Sequence, residues 1–200
     1  MTVLVVSPHY DDAELSASLA LPGAHLLVLA GGDDDRRREQ ERASRSLQTT
    51  FLKPGTLPDG RIASGPGTVR LIEKALRISR ADTLLLPPLL DSHQDHRAVH
   101  RAGISAARRS PLTVVEYETV SALPEWTPNL WEAMSEAEFD EQVRAVECHV
   151  SQAHRPYTRE SWLRTRAAYR GQQVGVPLAQ AYRYVRAVGH LPGTPPFGGQ

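Results

Sequence analysis

Short apolar runs, each closed by turn residues and followed by a helix-patterned stretch, set what this chain can become. They fall at 3–6, 26–30, Thr83–Leu86 and Thr113–Tyr117, and 48–52 reads as a shorter strand between the second and the last two. Runs of four or five apolar residues suit strands buried on both faces, which belong to a mostly parallel sheet covered by helices. The helices are predicted from Ala13 to about Leu21, behind the acidic Asp33-Asp34-Asp35, over 69–78 and over 96–109. Asp33-Asp34-Asp35 suits a helix start, where carboxylates oppose the positive end of the dipole. The stretch 53–67 holds Pro54, Gly55, Pro58, Gly60, Gly65, Pro66 and Gly67 and reads as a loop. Further on, Phe139, Val143 and Val146 recur at helical spacing, 162–169 also looks helical, and 192–200 reads as a loose tail. The expectation is one α/β domain over 1–191, Rossmann-like, with strand order about 3-2-1-4-5.

Composition narrows the partners. Lys+Arg and Asp+Glu both number 23, so the net charge is zero and no bulk field draws the chain to nucleic acid or an anionic membrane. No apolar run approaches the roughly 20 residues of a membrane span, and no signal-peptide pattern opens the chain, so a cytoplasmic setting is expected. The single cysteine, Cys148, lies in an apolar-rich segment and reads as a small buried side chain rather than a nucleophile. Gly31-Gly32 has no G-x-G-x-x-G or Walker context, which argues against a nucleotide site.

The chemistry gathers in two loops. After the first strand comes Ser7-Pro8-His9-Tyr10-Asp11-Asp12-Ala13-Glu14, and after the fourth comes His93-Gln94-Asp95-His96. With order 3-2-1-4-5 these strands are neighbours at the topological switch point, where open parallel sheets bind ligands. Carboxylates and imidazoles crowded at the edge of a core are costly unless paired, and a metal ion pairs them. His9, Asp12 and His96 supply the two-histidine, one-carboxylate set of a catalytic zinc site, a set that also accepts Fe2+ or Mn2+. Asp11 diverges from Asp12 in the turn and is free to act as general base on water. His93, one turn before His96, donates a hydrogen bond or proton to the reacting group, with Asp95 orienting or charging it.

These motifs resemble the LmbE-like, or PIG-L-like, family of zinc-dependent N-acetylglucosamine deacetylases. The resemblance rests on Pro8-His9-x-Asp11-Asp12-x-Glu14 with His93-x-Asp95-His96, each after a strand. Arg36-x-x-Glu39-x-x-x-Ala43-x-x-x-Leu47, Leu57-Pro58-Asp59-Gly60, His149-x-Ser151-Gln152 and Arg170-Gly171 resemble further marks of that family. It implies zinc on His9, Asp12 and His96, Asp11 as base, His93 as acid or oxyanion stabiliser, and Arg36 as a substrate-holding residue. It also implies an N-acetylated sugar or conjugate as substrate and self-association into a homo-oligomer. The alternatives are an amidase acting on another N-acyl amine or a thiol-sugar conjugate, and a non-catalytic sugar- or metal-binding member. Departures from the pattern are Leu15-Ser16-Ala17-Ser18-Leu19 in the first helix, Gln48, and Asp91 where some relatives offer a tyrosine. Glu14 reads equally as a ligand-supporting carboxylate or a helix-dipole match, and His149 as a site neighbour or a buried structural residue. His100 is expected to serve packing.

Overall fold

The computed structural model describes residues 2–52 and 56–189. The expected tail at 192–200, and Lys53, Pro54 and Gly55 of the expected loop, lie outside the described residues. Five strands form as anticipated: β1 (Val3–Ser7), β2 (His25–Val28), β3 (Thr50–Phe51), β4 (Thr83–Leu86) and β5 (Thr113–Tyr117). They lie in the order 3-2-1-4-5, with every pairing parallel. Two further strands, β6 (Leu130–Ala133) and β7 (Ala179–Arg186), extend the sheet beyond β5 in antiparallel sense, so the full order is β3-β2-β1-β4-β5-β7-β6. The apolar pattern of the sequence does not announce these two.

Alternation along the strands divides the core. Leu4, Val6, Leu27, Leu29, Leu84 and Leu86 face one layer, where they meet α3 (Pro66–Ser79) and α4 (Gln94–Ala107). Val5, Leu26, Val28, Leu85 and Val115 face the other, under α1 (Asp12–Ser16), α2 (Asp34–Ser46) and α5 (Glu136–Glu147). A third cluster, built on Leu15, Phe139, Leu163 and Leu178, seats α6 (Glu160–Gln172) along β7. Burying each such aliphatic or aromatic side chain contributes roughly 1.5–3 kcal/mol. Among the described residues no helix is long and apolar enough to cross a membrane.

Local chemistry explains the helix ends. The Asp33 side chain accepts the Arg36 amide at 2.8 Å and starts α2. A reciprocal Ser135–Glu138 capping box starts α5. The helix expected from Ala13 to Leu21 is instead one short turn followed by a 3-10 turn at Ser18–Ala20. Its end carbonyls are met from outside: Gln142 donates to Glu14 O and Leu15 O, and the Arg166 guanidinium also donates to Leu15 O. α4 begins earlier than expected because the His93 ring caps it, its Nδ1 accepting Asp95 N–H at 3.2 Å. Cys148 is half-buried at the end of α5 rather than enclosed.

Candidate metal centre and active site

The loops after β1 and β4 meet at the carboxyl ends of the two central strands. Asp11 has φ 86°, a left-handed conformation that Asp tolerates better than most residues. That kink sends neighbouring carboxylates apart. Asp12 Oδ2 accepts the His9 amide at 3.0 Å and lies 3.2 Å from His9 Nδ1 and 3.4 Å from His96 Nε2. The Asp11 carboxylate lies instead 3.9 Å from Arg36 NH2.

The outer nitrogen of each of these histidines is bonded to a buried carboxylate. His9 Nε2 lies 3.0 Å from Asp95 Oδ2, and His96 Nδ1 lies 2.8 Å from Asp91 Oδ2. In the neutral rings these bonds place the protons on His9 Nε2 and His96 Nδ1, leaving His9 Nδ1 and His96 Nε2 as lone-pair donors facing Asp12. One ligand atom from each of His9, Asp12 and His96 lies within 4.8 Å of the others. Two imidazole nitrogens and one carboxylate oxygen are a donor set that fits zinc, ferrous iron or manganese. His9, His93 and Asp95 form a second such group. There, however, Asp95 Oδ2 accepts Gly60 N–H at 2.8 Å and Oδ1 accepts Ile62 N–H at 3.0 Å, so its carboxylate serves the loop. Gly60 needs its φ of 72° to turn that loop over the site.

Electrostatics agree with this geometry. Burial disfavours charge on both rings, yet the surrounding carboxylates outweigh it, pushing His9 up to about 9 and His96 to about 10. Burial likewise opposes charge on Asp12, but the two imidazoles hold it well below the usual carboxylate range. Asp11, with burial as the main cause and Asp12 adding repulsion, is pushed up to about 7, against the pull of His149 and Arg36. His93 is pushed down, first by burial and then by His96 and His9.

The residues assigned to the site from the sequence come together here, with Asp95 set behind the cleft. His9, Asp11, Asp12, Arg36, His93 and His96 line one cleft of 280 Å³. Asp95 lies behind it: its carboxylate holds His9 and the 60–62 backbone, and it reaches His93 through its backbone N–H, which donates to the ring Nδ1, and through its charge rather than by a carboxylate bond to the ring. Arg36 donates to Tyr10 O at 3.1 Å and stacks on the Tyr10 ring. Glu14 is buried and accepts from Gln40 at 2.5 Å, with His149 Nε2 at 3.6 Å. Glu39 binds the Ser151 amide and hydroxyl at 2.9 and 2.6 Å, tying α2 to the 149–152 segment. His100 is a packing residue, buried with Nδ1 3.1 Å from Pro87 O.

Three participants are not assigned by the sequence alone. Asp91 is the carboxylate behind His96; Thr119 and Ser121 hydroxyls and the His93 amide also bond to it. Asp59 lies 3.1 Å from His9 Nε2 at the cleft edge. Tyr157 lines the cleft from far along the chain. Asp91 carries a signal as a carboxylate two residues before the His93 motif and Asp59 as part of Leu57-Pro58-Asp59-Gly60, whereas Tyr157 carries none.

Residues 4–107 match the family described as PIG-L, GlcNAc-PI de-N-acetylase. The structure of the conserved protein TT1542 from Thermus thermophilus is 26% identical with a TM-score of 0.81, covering 96% of this chain and 98% of that one. N,N'-diacetylchitobiose deacetylase from Pyrococcus horikoshii is 19% identical with a TM-score of 0.78, over 92% of this chain and 83% of that one. GalB, the 4-carboxy-2-hydroxymuconate hydratase from Pseudomonas putida, is 18% identical with a TM-score of 0.80, over 95% and 99%. The last two likenesses carry the fold alone. No curated protein matches the chain.

Proposed function

We propose, because this chain belongs to the PIG-L family of GlcNAc-PI de-N-acetylases, that it is a zinc-dependent hydrolase removing the N-acetyl group from a small glucosamine-bearing molecule. One observation carries this reading. His9 and His96, each with its outer nitrogen on a buried carboxylate, aim their other nitrogens at Asp12, and Asp11 stands beside them as a separate carboxyl.

His9, Asp12 and His96 would hold the ion. A divalent ion held there supplies Lewis-acid polarisation and water activation near neutral pH. Asp11, whose carboxyl is pushed up to about 7, takes the proton from the attacking water. His93 Nδ1 is occupied by Asp95 N–H, so its neutral ring carries the proton on Nε2 and offers it to the oxygen of the tetrahedral intermediate. Protonated Asp11 then returns its proton to the departing amine, and amide plus water become amine plus acetate. Arg36 holds Asp11 and the Tyr10 carbonyl in place and borders the sugar.

Because the fold is shared with a hydratase, acetate release rather than fold is the test. Protein purified without added metal is assayed for metal content and for acetate freed from N-acetylglucosamine and simple N-acetylglucosaminides. About one zinc per chain and chelator-sensitive acetate release support the proposal. Metal without acetate from any N-acetylated sugar overturns the substrate, and absence of metal after zinc supplementation overturns the site.

A further inference from the structure

Glu116 is a buried carboxylate that the reaction above does not use. It is 3% exposed, on β5 directly after the apolar Val114 and Val115. Its Oε1 accepts Leu89 N–H at 3.1 Å and lies 3.3 Å from His100 Nδ1, and its Oε2 accepts the Trp126 indole N–H at 2.9 Å. His100 Nδ1 also lies 3.1 Å from Pro87 O, a carbonyl that can only accept, so this nitrogen carries the ring proton. Arg183 NH1 reaches Oε2 from β7 at 3.9 Å.

These donors come chiefly from three segments: the 87–92 loop, α4 and the 119–126 stretch after β5. The same three segments meet a second time at Asp91. Asp91 belongs to the loop, its Oδ2 bonds to His96 of α4, and its two oxygens accept the Ser121 and Thr119 hydroxyls. Between the two meeting points, Leu123 N–H donates to Leu90 O at 2.9 Å and Asp91 bridges to Ala122. His96 and His100 stand one turn apart on α4, so each carboxylate takes one turn of the same helix face. Packing alone does not ask for this, because enclosing a carboxylate costs more than enclosing an apolar side chain of like volume. What the carboxylate adds is direction, since it accepts only from donors set at fixed places.

We infer that Glu116 is a positioning residue for the metal centre. By joining the loop of Asp91 to the helix of His96, it fixes the Asp91–His96 bond that aims the His96 ring at Asp12. The inference rests on the metal-site reading above.

The test measures zinc affinity of the chelated protein by competition with a chromophoric chelator, at a temperature where circular dichroism shows every variant folded. Glu116→Gln, whose amide turns a donor toward one of the N–H groups, should bind zinc about tenfold more weakly. In Asp91→Asn the route to His96 is already cut, so adding Glu116→Gln should weaken zinc by less than about twofold more. A general loosening of the fold would weaken both backgrounds alike, and equal losses overturn the inference. Where Glu116→Gln fails to fold, Trp126→Phe replaces it, removing one donor while keeping an aromatic ring, with about threefold weaker zinc and the same dependence on Asp91. Wild-type affinity in the folded variant overturns the inference and leaves the metal reading standing. Proton NMR of the metal-free protein gives a second readout. The His96 Nδ1–H held by Asp91 should give a downfield signal that is lost in Asp91→Asn and displaced in Glu116→Gln. If the wild type takes up no zinc, the metal reading falls and this signal decides for Glu116. A displaced signal then keeps it as the residue that holds the Asp91–His96 bond, and an unchanged one removes it.

Discussion

Asp91 Oδ2 lies 2.8 Å from Nδ1 of His96, and the carboxylate is completed by the Thr119 and Ser121 hydroxyls and the His93 amide. Asp91 thereby fixes both the tautomer and the tilt of a metal-facing ring. Asp91→Asn should lower divalent-metal affinity about 10–100-fold. Competition against a chromophoric chelator measures it, and wild-type affinity would remove Asp91 from the site.

Asp11→Asn separates base from ligand. Asn tolerates the left-handed backbone at this position, so the fold and the metal stay while turnover drops about 10²–10⁴-fold. Wild-type turnover in the variant would show that another group takes the water proton.

The same substitution should stabilise the metal-free protein. Asp11 holds its proton to about pH 7 when folded, against 3.8 for the ordinary group. The stability linked to that proton is complete below 3.8 and lost as pH rises through about 7. Above about pH 7, Asp11→Asn should therefore raise Tm, by about 2–4 °C per kcal/mol of relieved repulsion and desolvation. A lower Tm in the chelated protein would contradict the raised carboxyl.

Metal uptake should expel protons. With His9 and His96 raised to about 9 and 10 before metal arrives, both rings are protonated near neutrality, and an ion must displace those protons. Affinity is expected to climb with pH, by on the order of tenfold per pH unit for each proton lost. Calorimetry in buffers of different ionisation enthalpy counts the protons; pH-independent binding below about 9 would refute the protonated state.

Gly171 touches the returning chain. A Cβ there would come 2.5 Å from Val176 O and 2.9 Å from Leu178 N, both backbone atoms leading into β7. Gly171→Ala should cost about 1–3 kcal/mol, read as a lower denaturation midpoint with unchanged slope.

The legible parts of the molecule are those with local causes. Fully buried strands such as Leu84-Leu85-Leu86 announce themselves as unbroken apolar runs, and their order alone sets His9 and His96 side by side. β7 is hidden because Ala179-Gln180-Ala181-Tyr182 is buried without being uniformly apolar; Gln180 is satisfied there by Ser18 and Tyr182 hydroxyls. α1 stops early through Gln142 and Arg166, more than a hundred residues away, which no local pattern encodes. Asp91 is ambiguous for a similar reason, since its partners Thr119 and Ser121 reach it only through the tertiary fold.

β7 is laid between β5 and β6, although it is the last strand to be made among the described residues. During synthesis, the outer edge of β5 therefore waits unpaired until residues 179–186 have left the ribosome. A nascent chain halted before that point exposes backbone donors and acceptors flanked by Val114 and Val115, a template for pairing with other chains. Chaperone demand should thus be concentrated late in translation, even though both loops that build the metal site emerge early.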